Sequence, residues 1–533
     1  MAESINRTIN RCFMRFEDRA ERIDSRQIAE TFVSVGPLLD VLESRNNQIM
    51  YGRRGTGKTH ALKYFATHRK KAGDLAIYVD CANIGSNQSI YDNKDDLPVS
   101  ERATRLLVDV CSAMHWDFLD AFSDPSSEWS LSDSAPLLDA FADAMSEVRI
   151  SGSLETETDQ KSAWTKKSGL SAGLTVAASP KLDIKIEDTN EQSQNFETKE
   201  KREGTEQTWI DFNFFAHRIR ELANFVSPRR IWLLIDEWST VPPDIQPYLA
   251  DLIRRSMLNV PNITVKIAAI EHRSTFKLDQ QDEQYIGFEL GADVSPAINL
   301  DDYLVFDNDE ERAKHFFRTL IANHLNVIAK EIHHDFANRT AYQLLNTAFT
   351  QDNVYVDFVR ATEGVPRDAM HILANAAQRA TDAPISMPIL RHAAYTFFQT
   401  DKYSAIQSNP ENSRLLDWIR DEVIGTRKTR AFMLPVGTTD KIIDRLFDRR
   451  ALHILSRTMS AAHRPGERFI VYKLDYGCYV DLINTDKYPE GLLLTDSSQL
   501  FVDFDVPVDD GRSYRRAILD LEQFYALNQT ISH

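Results

Sequence analysis

Eight consecutive residues, Gly52-Arg53-Arg54-Gly55-Thr56-Gly57-Lys58-Thr59, have the types and spacing to hold a triphosphate. They fit GxxxxGK[ST]. The glycines let the backbone turn so that successive N–H groups point inward at phosphate oxygens. Lys58 reaches the outer phosphates, and the Thr59 hydroxyl is a ligand for Mg²⁺. ATP with Mg²⁺ is the expected occupant. Gly52 through Thr59, together with the following His60, are the candidate nucleotide-binding residues.

A second group is Ile231-Trp232-Leu233-Leu234-Ile235-Asp236-Glu237. Five apolar residues predict a buried strand with two carboxylates at its C-terminal end, where ligands lie in open α/β sheets. Asp236 is expected to hold Mg²⁺, directly or through water. Glu237 is expected to polarise the water that attacks the γ-phosphate. A third group is Gly364-Val365-Pro366-Arg367. Pro366 opens a helix and places Arg367 in its first turn. A cation there opposes the helix dipole, so it serves an anionic partner better than it serves the helix. Lys58, Glu237 and Arg367 are the candidate catalytic residues, with Arg367 also facing the nucleotide.

The elements needed to present these groups are legible. Short apolar runs at Gln48–Tyr51, Leu75–Asp80, Ile231–Ile235 and Ile263–Ile270 alternate with helical patterns at Thr59–Lys70, Glu101–Phe122, Phe212–Phe225 and Pro242–Met257. Alternation of this kind predicts an α/β fold, a phosphate-loop parallel sheet covered by helices. Four regions follow. Residues 1–30 are a polar helical lead-in, and 31–300 the nucleotide-binding core. Residues 301–380 are a helical lid, and 381–533 a C-terminal winged-helix-like α+β region. An insertion at 151–207 interrupts the core. Around Ser179-Pro180 it alternates Leu174, Val176, Leu182, Ile184 and Ile186 with small or polar residues, which predicts a β-hairpin.

Within 381–533, helical patterns at Ser413–Val423 and Thr438–Leu455 precede strand-like runs at Arg468–Tyr472 and Tyr479–Leu482, joined around Tyr476-Gly477. Helices followed by a hairpin suggest a winged helix. The whole chain of 533 residues carries a net charge of −17. A general nucleic-acid binder is therefore excluded unless a local surface is basic. Such a stretch exists. Arg427, Lys428, Arg430, Lys441, Arg445, Arg449, Arg450, Arg457, Arg464 and Arg468 outnumber Asp440, Asp444, Asp448 and Glu467. Duplex DNA is accordingly a candidate partner for residues 425–485, a protein partner being the alternative. Cys12, Cys81, Cys111 and Cys478 show no CxxC or metal spacing, as in a reduced cytoplasmic protein. No apolar run approaches the ~20 residues that span a bilayer, so no membrane role is expected.

GRRGTGKT, IWLLIDE and GVPRDAMHIL together resemble the AAA+ superfamily, within it the origin-recognition-like and STAND-related ATPases, over roughly residues 30–380. The resemblance implies five parallel strands, a lid whose arginine, here Arg367, is the sensor 2 residue, and often a winged helix beyond. The polar sensor 1 residue falls on Glu271 or His272. Arg254, Arg255 and Arg273 are candidates for an arginine finger. The implied activity is ATP hydrolysis that switches lid and oligomer, in a homo-oligomer or hetero-complex. It would act on DNA or a partner protein in DNA transactions or bacterial defence. Rival readings are a slow STAND-like switch that signals by assembly without DNA, and a loader whose ATP form stabilises a filament on DNA.

Overall fold

Strand β1 (Gln48–Tyr51) runs directly into the glycine loop, and helix α4 (Lys58–Lys71) leaves it. Ahead of them lie α1 (Ile5–Phe13), α2 (Ser25–Thr31) and α3 (Leu38–Glu43). The core continues through β2 (Leu75–Asp80), α5 (Val99–Ser123) and α6 (Leu131–Met145). The computed structural model describes residues 5–84, 98–124, 128–145, 147–151, 154–156, 200–202, 205–280, 284–332, 340–426, 429–461, 464–484, 515 and 517–529.

Residues 146–211 form a unit of their own. In it β3 (Glu147–Ser151) pairs antiparallel with β6 (Thr205–Trp209), and β4 (Leu154–Thr156) with β5 (Glu200–Arg202). The hairpin expected around Ser179-Pro180 lies outside the described residues.

Residues 1–145 and 212–533 form the other unit. Here α7 (Phe212–Val226), β7 (Ile231–Asp236), α8 (Gln246–Ser256) and β8 (Ile263–Ala269) complete the expected alternation. A small ladder, β9 (Lys277–Asp279) with β10 (Tyr285–Gly287), leads to β11 (Ser295–Asn299). The main sheet has five parallel strands in the order β11-β1-β8-β7-β2. All six residues of β7 are buried, as in a central strand covered on both faces. Phe65 of α4 meets Trp232 of β7 edge-on at 5.0 Å, clamping the loop helix to the sheet.

The helical region comprises α9 (Glu310–Glu331), α10 (Ala341–Ala348), α11 (Asp352–Ala361), α12 (Pro366–Ala380) and α13 (Met387–Phe397). α14 (Pro410–Arg420) leads into the C-terminal module. There β12 (Ala431–Pro435), α15 (Lys441–Asp448), β13 (Leu452–Ala461), β14 (Arg464–Leu474) and α16 (Tyr476–Asn484) are followed by α17 (Leu521–Gln529). One apolar core joins Phe13 of α1, Leu373 of α12, Leu446 of α15 and Tyr476 of α16. The lead-in helix is thus part of the lid's core.

The module is α+β, with an antiparallel sheet ordered β12-β14-β13, but its hairpin is displaced from expectation. It is made by β13 and β14. Tyr479–Leu482 is helical, with Tyr476, Tyr479 and Val480 buried at helical spacing. The helix expected over Thr438–Leu455 stops at Asp448, because Arg450 takes a left-handed φ of 60°. No glycine marks that stop. Ion pairs from Arg450 to Asp368 and Asp401 hold it instead. All four cysteines are buried and none is in a disulfide. Among the described residues no helix is long and apolar enough to cross a membrane.

Candidate functional site

Gly55 and Gly57 adopt φ of 88° and 95°, backbone that only glycine takes without strain. Between β1 and α4 they bend the chain around a cavity of about 440 Å³. Arg54, Gly55, Thr56, Gly57, Lys58, Thr59 and His60 all line it. Lys58 is buried and its ammonium donates to Gly52 O at 2.8 Å and Arg53 O at 3.1 Å. Burial pushes it below the ordinary lysine range, against the pull of Glu237, Asp236 and Asp301. Among the described residues no carboxylate lies within ion-pair distance, so an incoming anion would meet an unneutralised cation. Burial lowers the pKa of His60, and its ring nitrogen contacts Ile28 O at 3.1 Å.

At the C-terminal ends of adjacent strands, parallel pairing of β2 with β7 sets Asp80 in register with Asp236, which lies behind the cavity lining rather than in it. Asp236 is fully buried. One of its oxygens accepts from Tyr78 OH at 2.7 Å, the other from the Glu237 amide at 2.8 Å. Each oxygen keeps a further lone pair. Glu237 lines the cavity and has a left-handed φ of 51°, which turns its side chain off the strand axis. Burial raises its pKa above the usual carboxylate range, with Lys58 opposing and Asp236 reinforcing. Asp80 also lines the cavity, with its pKa raised mainly by burial. It is absent from the residues expected on sequence grounds. Its place at the C-terminal end of a predicted apolar strand is the signal that could have found it.

These oxygens suit a hard cation. Among the described residues no group of three or more His, Cys, Asp or Glu is arranged to hold a metal alone. Mg²⁺ does not need one, since it is usually bound by one or two carboxylates, waters and substrate phosphate. The Thr59 hydroxyl and the Asp236 carboxylate therefore fit that ion.

The lid reaches the loop directly. The Arg367 amide donates to Gly55 O at 3.2 Å, and its side chain lines the cavity. A Cβ on Gly55 would come within 2.8 Å of Arg367 Cβ, so glycine is required for this approach as well as for its φ. Arg367 Nε donates to Asp18 O at 3.3 Å, and His371 pairs with the Asp18 carboxylate at 3.2 Å. The segment after α1 is thereby drawn over the cavity. Part of the cavity lining is apolar, with Ile23, Phe32, Val35, Phe316, Leu320 and Met370. Sequence pattern alone assigns neither the lead-in nor α9 to the site.

Arg53, expected among the nucleotide-binding residues, has its side chain buried and outside the cavity lining. Its amide and Nε donate to Asp301 at 2.9 and 2.7 Å. Its other nitrogens reach Leu452 O at 2.9 Å and His453 Nδ1 at 3.2 Å, and its guanidinium lies 4.3 Å from the Phe447 ring centroid. His453 extends the chain through Nε2 to Asp475 at 3.0 Å. Lys402 joins Asp475, at 2.6 Å, to Asp368, at 2.8 Å, in the first turn of α12. A buried chain of charged and polar groups thus runs from the phosphate loop through the C-terminal module to the lid helix.

The remaining candidates lie outside the cavity. Glu271 pairs with Arg457, and His272 stacks edge-on with Phe447. Arg254 and Arg255 both pair with Asp251, and Arg273 with Asp448. Of the basic residues in 425–468, Arg430 pairs with Glu363, Arg450 with Asp368 and Arg457 with Asp302. Arg427 and Lys428 lie outside the described residues. Lys441, Arg445, Arg449, Arg464 and Arg468 are exposed.

The ORC-CDC6-like family model matches residues 16–78. No curated protein matches the chain. Solved structures similar to it include the Walker-type ATPase of Pyrococcus abyssi, at 12% identity over 88% of this chain and 99% of that one, with a TM-score of 0.36. Drosophila ORC bound to DNA is 10% identical over 90% and 92%, with a TM-score of 0.30. The Aeropyrum pernix ORC1 protein in complex with DNA is 12% identical over 89% and 95%, also at 0.30. The family match falls on the segment that carries the phosphate loop, and that loop sits in a five-stranded parallel sheet under a helical lid, so the chain has a P-loop α/β fold and is similar, over residues 16–78, to the ORC-CDC6-like family.

Proposed function

We propose that the chain binds ATP with Mg²⁺ in this cavity, hydrolyses it, and uses the nucleotide state to set the lid against the loop. One observation carries the reading: Arg367, on the lid, is held against Gly55 of the loop, so a phosphate there would be gripped from both sides. The purine would pack on the apolar lining residues and the phosphates against Lys58. Mg²⁺, when bound between Thr59 and Asp236, would neutralise phosphate charge. Lys58 and Arg367 orient the phosphates. Glu237, its pKa raised by burial, takes a proton from the attacking water.

Replacing Lys58 by Ala should weaken nucleotide binding by about 10–100-fold, the loss of charge-assisted hydrogen bonds worth roughly 1.5–3 kcal/mol. Titration of a fluorescent ATP analogue measures this, and unchanged affinity would remove the cavity from nucleotide binding.

The output we favour is action on duplex DNA through the C-terminal module. The exposed Lys441, Arg445, Arg464 and Arg468 support it, while the internal pairing of Arg430, Arg450 and Arg457 makes the basic surface smaller than its residue count. Full-length protein should bind duplex with affinity falling as salt rises. Replacing Lys441, Arg445 and Arg468 by Ala together should lower the log–log salt slope by roughly 0.9 for each phosphate no longer neutralised. An unchanged slope, or no binding at low salt, would favour a protein partner instead. The buried chain linking loop, module and lid also suits a slow switch signalling by assembly. DNA-indifferent, slow turnover in a steady-state assay would select that reading.

A further inference from the structure

Beside the nucleotide cavity lies a second cleft of about 290 Å³, lined by arginines from five separate parts of the fold. Three of its arginines are matched by its three aspartates. Arg367 lies against Asp18, Arg273 pairs with Asp448, and Arg450 with Asp401. That leaves Arg19 from the segment after α1, Arg54 from the phosphate loop and Arg449 from the end of α15. These three have neither a hydrogen bond nor an ion pair through their guanidinium groups among the described residues. His371 is the remaining titratable group facing the cleft. In a chain with a net charge of −17, three uncompensated guanidiniums converging on one small cleft are out of keeping with the general surface.

We infer that this cleft is a second anion site, and that its ligand is inorganic phosphate. Guanidinium forks match phosphate oxygens in pairs, and three leftover positive charges suit a small multivalent anion. The volume admits a phosphate group and excludes a nucleic-acid duplex. Arg19, Arg54, Asp18 and Arg367 form a wall shared with the nucleotide cavity, while Arg449, Arg450 and Asp448 belong to the C-terminal module. A bound phosphate would therefore tie the module to the loop beside the nucleotide. The site itself does not depend on hydrolysis; only the origin of the phosphate from ATP rests on the proposed activity.

Arg449 is exposed and lines this cleft but not the nucleotide cavity, so it tests the site without touching that cavity. Isothermal titration of the full chain, saturated with ADP, with sodium phosphate should show one phosphate per chain. Arg449→Glu should weaken that binding by tenfold or more while leaving ADP affinity and the thermal midpoint unchanged. Lys58→Ala should lose nucleotide affinity but keep phosphate binding, which separates failure of this site from failure of the nucleotide reading. Absence of phosphate binding, binding abolished by ADP, or equal binding in Arg449→Glu would overturn the inference. In a single-turnover experiment with a phosphate reporter, a lag between ADP formation and phosphate release identifies product phosphate as the occupant. No lag identifies phosphate taken from solution.

Discussion

Glu237→Gln should bind ATP as tightly as the unaltered chain and turn it over about 10²–10⁴-fold more slowly, the range lost with a general base. The substitution keeps size and hydrogen-bonding capacity at a residue whose left-handed backbone the fold already maintains. It removes only the group that accepts the proton. The pH dependence gives a second signature. Burial raises the Glu237 pKa, so the inactive protonated form persists to higher pH than for an ordinary glutamate. Turnover should fall as pH drops through that raised value, giving an acid limb above the ~4.3 of a free glutamate. In the Gln variant the residual rate should lose this limb. Normal kcat in Glu237→Gln would take the residue out of the base role and leave Asp80 as the next carboxylate to test.

The second large effect is expected at Arg53. Its side chain and Asp301 are 3% and 4% exposed. Arg53→Ala leaves a buried carboxylate without its cation and strips hydrogen bonds from Leu452 O and His453. Breaking one partner of a buried pair costs about 3–5 kcal/mol. The urea midpoint should drop accordingly, and proteolysis should reach the 429–484 module sooner. Arg53→Lys should not restore it, because an ammonium cannot span Asp301, Leu452 O and His453 Nδ1 together. The competing expectation, that Arg53 grips nucleotide, predicts lost ATP affinity with an unaltered urea midpoint. That result would reject the docking role. His453 is neutral here because burial and Arg53 together hold its pKa well below the ordinary histidine range. It donates from Nε2 to Asp475 while accepting from Arg53 at Nδ1, so it links the two as a dipole rather than as a charge.

Local chemistry made part of this protein readable in advance. GRRGTGKT can close around a phosphate only between a strand and a helix, and IWLLID can be covered on both faces only at the centre of a sheet. Motif and periodicity therefore agreed on loop, strands and the residues Lys58, Thr59, Asp236 and Glu237 as neighbours. The fifth strand, Ser295–Asn299, carries no strand pattern in its Pro296 and short polar run, and pairing with β1 alone defines it. The helix end at Arg450 is likewise unmarked in the local sequence. A left-handed residue without glycine is stabilised there by Asp368 and Asp401, distant in sequence.

By itself, then, the sequence determined that this chain has a phosphate loop, two carboxylates at the end of a central strand, and an arginine opening a later helix. These follow from spacing within single elements. Only the tertiary structure decided which way the two loop arginines face. Arg54 lines the nucleotide cavity and the neighbouring cleft, while Arg53 is drawn into the C-terminal module. The physical reason is that a buried guanidinium must find its acceptors wherever packing brings them. Here they are Asp301, Leu452 O and His453, from elements about 250 to 400 residues further along the chain.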